Sequence, residues 1–431
     1  MKLLHTADWH LADRLKQIDR TVDLRRNVER IAGYCDQESV DVLVIAGDLF
    51  SDSARPDALQ DSLAHLSRTF RPFLLRGGTI VAIAGNHDRD IYCETLRGAF
   101  QLAAPNVARP GDTLPAGRFY LINKPVHFRL RDRRQQAVSF VCMPYPTTAR
   151  YLQGSSASGY TGFDERSRLL RRAFLERLRS LYRQLGGHQP SVLVAHVNTV
   201  PHGRERLFRC GAEEDIVVDD PAVTTGWSYV ALGHLHGPGT VNGLSHARYS
   251  GSIERLSIAE KEQKKGVVLV SLAEESGRLR TRFLPLPATP FYDICISDPR
   301  RELPLLRTRY PEASTALVRC HIRCRHGEDN LYEILSEISR IFPRCYERTW
   351  DERRTSGSGG RGGVPFRGSR EAGDDLPRGR NGADATDEDT WPDAGQSLRQ
   401  LVIDYLSDQL ADDADREALL SLAQQLVEEF D

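Results

Sequence analysis

An α/β fold built on buried strands is predicted by two features of residues 1–287. Short apolar runs alternate with stretches of helical spacing, and side chains with metal-ligand chemistry fall just past the ends of those runs. A third feature, a polar tract late in the chain, divides this part and a smaller companion from a short helical tail.

The apolar runs 3–7, 41–46, 79–84, 137–143, 191–197, 229–232 and 266–272 read as core strands. Between the first two, Leu24, Val28, Ile31 and Cys35 recur at helical spacing, and Leu59, Leu63, Leu66 and Phe70 do so before the third. The opening is therefore βαβαβ, and the strands are expected to share one sheet whose ligands collect at the strands' carboxyl ends. After the Pro-bearing segment 285–290, strands near 292–297 and 316–323 and a helix over 331–341 predict a small α+β unit ending near Trp350. Residues 351–395 are dominated by Gly, Arg, Ser, Asp and Pro; with almost no aliphatic side chains they cannot offset the entropy of ordering, and they read as a flexible, disordered linker. Two apolar stripes follow, Leu398, Leu401, Val402, Tyr405 and Leu406, then Leu419, Leu422, Ala423, Leu426, Val427 and Phe430, which predict a pair of amphipathic helices. The expected units are 1–287, 288–350, 351–395 and 396–431.

The bulk properties narrow the class. With 431 residues and 40% apolar content the chain can bury a full core. His5 and Asp8 interrupt any leader, and no apolar window reaches membrane-spanning length, so a cytosolic protein with no membrane partner is expected. Eight cysteines are scattered without a framework and are expected to be reduced. Cys320 and Cys324 alternate with Val318 and Ile322 as on a strand. That spacing sets them roughly 13 Å apart, too far to share a tetrahedral ion. The net charge of -1 neither supports nor excludes a nucleic-acid partner, and the excess of arginine over lysine is attributed mainly to genome composition.

The chemistry lies at the strand ends. Asp8 and His10 follow the first strand with period-two spacing, so both side chains point the same way. Gly47-Asp48 ends the second, the glycine allowing a close turn before a carboxylate placed to bridge. Gly85-Asn86-His87-Asp88 ends the third, His196 ends a fourth, and Gly233-His234-Leu235-His236 ends a fifth. Each alone has an ordinary reading as a loop residue, a turn cap or a satisfied core histidine. Together Asp8, His10, Asp48, Asn86, His196, His234 and His236 are too many donors for one tetrahedral ion and suit two ions of higher coordination.

This ordered set resembles the calcineurin-like metallophosphoesterase superfamily. Residues 4–11 (Leu-His-Thr-Ala-Asp-Trp-His-Leu), 46–50 and 249–255 (Tyr-Ser-Gly-Ser-Ile-Glu-Arg) are similar, more narrowly, to the SbcD-type DNA repair nucleases. The likeness covers roughly 1–345 and implies a layered α-β-β-α sandwich carrying a small α+β DNA-binding cap over 288–350. It implies that Asp8, His10, Asp48 and His236 hold one ion and Asp48, Asn86, His196 and His234 a second, with Asp48 bridging. His87 then acts beside the scissile phosphate, oriented by Asp88, and the metals are two divalent cations, manganese expected first. It further implies exonuclease and endonuclease action on DNA in double-strand-break repair. The partner would be an SbcC-type coiled-coil ATPase bound through 396–431, and the chain would form a homodimer through helices around 92–102. No Gly-x-x-x-x-Gly-Lys-Ser/Thr occurs in the chain, so any ATP-driven step comes from the partner. One departure concerns the position three residues after the bridging Asp48. Many relatives carry His or Asp there; this chain has Ser51 followed by Asp52. The competing readings are a phosphodiesterase acting on a small diester or a phosphoprotein, which the metal motifs alone do not separate, and a scaffold that has lost catalysis, which the complete ligand set disfavours. Basic groups expected at a DNA surface are Arg129, Arg131, Arg133 and Arg134 on a hairpin and Arg319, Arg323 and Arg325 on the cap, each equally readable as a solvated face.

Overall fold

The computed structural model describes residues 1–104, 112–152, 162–187, 190–199, 215–272 and 279–353, together with the backbone of 366–370. All fall within one compact unit, Met1–Asp374; the tail expected over 396–431 and most of the 351–395 tract lie outside the described residues.

Two six-stranded sheets form the main body, where the strand pattern alone predicted one. The first runs Leu279–Pro285, Gly266–Leu272, Lys2–Thr6, Val42–Ile45, Thr79–Ile83, Phe119–Ile122; the second runs Gly239–Val241, Leu244–Tyr249, Tyr229–Gly233, Ser191–His196, Ala137–Met143, Val126–Arg131. The last four strands of the first sheet are mutually parallel, as are the four from Leu244–Tyr249 to Ala137–Met143 in the second; the remaining pairings are antiparallel. Strands buried on both faces read as unbroken apolar runs whether they pair edge to edge or stack face to face, which is why periodicity did not separate one sheet from two.

Burial alternates accordingly. Leu3, Val42, Val44, Val81 and Ile83 of the first sheet meet Phe128, Phe140, Cys142, Val192, Val194 and Ala231 of the second in the inter-sheet core. The outer face of the first sheet, with Leu4, Leu43, Ile45, Ile80 and Ala82, is covered by the helices Thr21–Gln37 and Pro56–Leu75. On the outer face of the second, Val141, Met143, Leu193, Val230 and Leu232 pack against Leu170, Phe174, Leu178 and Leu181 of the helix Phe163–Arg183. This is the layered α-β-β-α sandwich. No helix among the described residues is long and apolar enough to cross a membrane.

The smaller unit has parallel strands Phe291–Ile296, Leu317–Arg325 and Cys345–Arg353, with the helix Leu331–Ile341 packing Ile334, Leu335 and Ile338 on Val318, Cys320 and Ile322. Cys320 and Cys324 face this core, as their spacing predicted. Two of the three arginines expected at a DNA surface here are engaged within the smaller unit: Arg319 bonds Asp293 at 3.0 and 2.5 Å, and Arg325 lies 3.4 Å from Glu328. The expected end at Trp350 is overrun, and the backbone of Phe366–Arg370 pairs antiparallel with residues 348–352, inside the tract expected as linker. An edge strand draws on ladder hydrogen bonds that composition does not register.

The main body and the smaller unit are joined through charge. Asp23 on the first helix accepts Nε of Arg20 at 2.8 Å and both terminal nitrogens of Arg344 from the smaller unit at 3.2 and 2.5 Å. Burial opposes ionisation of Asp23, but the Arg344 and Arg20 guanidiniums outweigh it and hold the carboxyl below its ordinary value. A depressed folded-state pKa stabilises above the unfolded value of about 3.9 and is lost as pH falls through the folded one. Thermal melts below about pH 4 should therefore show an acid loss that Asp23→Asn flattens, at a neutral-pH cost of about 2 kcal/mol. An unchanged acid limb would remove Asp23 from that role.

Candidate metal centre

The parallel strands of both sheets end at one place. Lys2–Thr6, Val42–Ile45 and Thr79–Ile83 feed the loops that carry Asp8 and His10, Asp48, and Asn86 to Asp88; Ser191–His196 and Tyr229–Gly233 bring His196, His234 and His236 from the facing sheet. Asp8, His10, Asp48 and His234 all take positive φ (52°, 44°, 51° and 99°), an uncommon conformation for side-chain-bearing residues that is concentrated here at the site. The glycines before the ligands are required by close approach. A Cβ on Gly47 would sit 1.9 Å from Nδ1 of His196, and one on Gly85 would sit 2.1 Å from Oδ1 of Asp48.

Asp48 is central. Its Oδ2 lies 3.3 Å from Nε2 of His196 and 3.6 Å from Nε2 of His10, while its Oδ1 accepts the His87 amide at 2.9 Å. Oδ1 of Asn86 lies 3.0 Å from Nε2 of His196 and 3.0 Å from Nδ1 of His234. Asp8 accepts the His234 amide at 3.0 and 3.2 Å and stands 4.0 Å from His196. The ring of His10 lies 5.2 Å from that of His236 and 5.0 Å from that of His87. Among the described residues two groups bring ligand atoms within 4.8 Å of one another: Asp8, His10 and His236, and Asp8, Asp48 and His196. All seven ligands read from the sequence thus converge, together with His87.

The electrostatics suit a cation. Burial opposes charge on Asp48, yet His196 first and then His87 and His10 hold its carboxyl well below the ordinary range; His196 is raised to about 9, its burial outweighed by Asp48 and Asp8. Asp8 is raised by burial against the pull of His196, His236 and His234. Buried carboxylates, an amide oxygen and imidazole nitrogens facing one another form a donor set that fits hard to borderline divalent ions.

Three imidazoles have their second nitrogen tied back: Nδ1 of His196 to the Ala46 carbonyl at 2.7 Å, Nε2 of His234 to Asp215 at 2.9 Å, and Nδ1 of His236 to Glu260 at 3.1 Å. Asp215 and Glu260 went unnoticed in the sequence, where each is one acid among several in a stretch with no ligand spacing. Tyr145, also missed, places its ring 5.5 Å from that of His234.

One expectation changes at the third strand end. Asp88, expected to orient His87, commits both oxygens to backbone amides, those of Gly85 at 2.8 Å, Phe50 at 2.9 Å and Leu49 at 3.1 Å, and so staples its loop to the one bearing Asp48. Burial and the nearby Asp48 push its carboxyl up to about 6. The carboxylate against the His87 ring is that of Asp52, 3.4 Å from Nδ1; Ser51 instead donates to Asp13 at 2.9 Å. His87 is raised above its ordinary value, burial opposing but Asp48 and Asp52 prevailing.

Arg150, buried and also missed, braces that loop. It donates to the carbonyls of Gly85 and Asp88 at 2.8 Å each and of Tyr145 at 3.2 Å, and to Asp90 at 2.6 Å. Arg150→Ala would leave these acceptors without their donor and should cost about 3 kcal/mol in a denaturant melt. A loss under about 1 kcal/mol would show that the loop holds itself.

Fold and site define the class. The profile of calcineurin-like phosphoesterases matches residues 1–238, more than half of the chain, and the chain belongs to that family: it is a metal-dependent hydrolase. Its similarity among curated proteins is narrower. It is 24% identical over 356 residues to the SbcD component of the SbcCD nuclease of Staphylococcus epidermidis, covering 79% of this chain and 80% of that one. To the same component from Rhodobacter capsulatus it is 28% identical over 295 residues, 67% and 69% of the two chains, and to that of Escherichia coli K12 26% over 291 residues, 65% and 67%.

Proposed function

We propose that the chain is a two-metal DNA nuclease, acting as an exonuclease on duplex ends and as an endonuclease, in double-strand-break repair with an SbcC-type ATPase. The observation that carries this reading is the convergence of seven ligands on one point from two sheets, with His87 beside them, in a chain similar to the SbcD components of SbcCD nucleases. Asp8, His10, Asp48 and His236 would hold one ion and Asp48, Asn86, His196 and His234 the other, Asp48 standing between them. When bound, two divalent ions, manganese by preference, would polarise the phosphodiester and supply an activated water. The chain's own part is to aim the donors, to exclude bulk water from the buried carboxylates and, through His87, to donate a proton to the departing oxygen; Asp52 holds that ring.

Homodimer formation is supported by the helix Asp90–Ala103, which leaves Ile91 67% and Leu102 85% exposed. The partner ATPase is assigned to the apolar stripes of 396–431, and the cytoplasm is the expected compartment. The test is manganese-dependent degradation of linear duplex DNA by the purified chain, alone and with an SbcC-type partner, beside a small phosphodiester. Rapid turnover of the small diester with DNA untouched even with the partner would reduce the reading to a phosphodiesterase of other substrate.

A further inference from the structure

We infer that Asp215 and Glu260 are positioning residues that commit His234 and His236 to opposite ring nitrogens, each serving a different ion, and that the segment 249–255 is their common support. The inference rests on the two-metal reading above.

His234 and His236 stand two positions apart in one loop, yet they are tied differently. Asp215 takes Nε2 of His234 at 2.9 Å, and Nδ1 of that ring faces Asn86 at 3.0 Å. Glu260 takes Nδ1 of His236 at 3.1 Å, and His236 joins Asp8 and His10 in one ligand group. An imidazole whose one nitrogen donates to a carboxylate presents a lone pair on the other, with its ring plane held. A free ring could flip or change tautomer; these two have that choice made for them before any ion arrives.

Both acids are themselves held. Asn198 donates to the other oxygen of Asp215 at 2.8 Å, and the flanking backbone is braced by Tyr249, whose hydroxyl donates to the Val197 carbonyl at 2.9 Å and accepts the Thr199 amide at 2.9 Å. Oγ of Ser252, whose hydroxyl is shared between the Glu254 carbonyl at 2.8 Å and Glu260 at 3.2 Å, stands beside Glu260, and the buried Lys265 reaches Glu260 at 2.5 Å, Ser252 at 2.7 Å and the His236 carbonyl at 3.0 Å. The Ser252 amide donates to that same carbonyl at 3.1 Å. Residues 249 and 252, three apart in sequence, thus back different histidines.

The experiment is calorimetric titration of the metal-free full chain with Mn²⁺, fitted for stepwise affinities and combined with double-mutant cycles. Asp215→Asn should weaken one ion by about 10–100-fold and leave the other nearly unchanged. Its effect should vanish when His234 is already alanine and add fully to His236→Ala. Glu260→Gln should show the mirror pattern, vanishing in the His236→Ala background. Ser252→Ala should weaken the same ion as Glu260→Gln by a smaller factor. If Asp215→Asn does not fold, Asn198→Ala, which removes an anchor of Asp215 while keeping the carboxylate, should weaken the His234 ion selectively. Losses spread equally over both ions, a loss on the wrong ion, or no loss in either acid variant would overturn the inference while the wild-type chain still binds two ions. A wild-type stoichiometry of one would instead overturn the two-metal reading itself, and this inference with it.

Discussion

Asp48→Asn should abolish loading of the paired site and, with it, hydrolysis. The substitution keeps the side-chain volume and an oxygen for the His87 amide, which now bonds Oδ1 at 2.9 Å, but removes the charge that two imidazoles face at 3.3 and 3.6 Å. Because Asp48 faces both His10 and His196, which are proposed to hold different ions, affinity should fall for both ions, by more than the roughly 10–100-fold that outer-shell changes cause. Titration with Mn²⁺ reads this directly. Two ions still bound at wild-type affinity would deny Asp48 the bridging place, and loss of one alone would assign it to a single ion.

His87→Ala should lower DNA hydrolysis by about 10²–10⁴-fold while both ions bind as before, since a positioned proton donor contributes on that scale. The ring is buried against His10 at 5.0 Å and carries Asp52 at 3.4 Å from Nδ1, so it is oriented without belonging to either group of converging ligand atoms. The distinguishing measurement is leaving-group dependence. A nitrophenyl diester, whose departing oxygen needs little protonation, should lose far less activity than DNA does. Equal losses on both substrates would point to phosphate binding instead, and weakened Mn²⁺ binding would place His87 among the ligands.

The candidate site was legible at the level of residue identity. Asp8, His10, Asp48, Asn86, His196, His234 and His236 could be named because each ends an apolar run, and a strand end is recognisable from the run before it. The helices Thr21–Gln37, Pro56–Leu75 and Leu331–Ile341 were legible for the same reason, as one-sided periodic patterns. What stayed hidden were groups whose role depends on a partner distant in sequence. Arg150 lies 65 residues from the Gly85 carbonyl it holds, Glu260 lies 24 from His236, and Asp215 sits in an acidic stretch with nothing to distinguish it. Asp88 was given the wrong neighbour because adjacency to His87 suggested contact, whereas the turn sends its carboxylate to the amides of Leu49 and Phe50.

The sequence by itself therefore determined the α/β class, the places where strands end and the donor types waiting there, because local periodicity and residue chemistry are properties of short windows. Only the tertiary structure decided which strands pair into each of the two sheets that converge on the site, that Asp52 rather than Ser51 or Asp88 faces His87, and which nitrogen of His234 and of His236 meets a carboxylate. Those choices come from stacking of sheets and from hydrogen bonds across tens to hundreds of residues. Strand pairing, ring tautomer and side-chain aim are settled by such long-range contacts, on which spacing along the chain is silent.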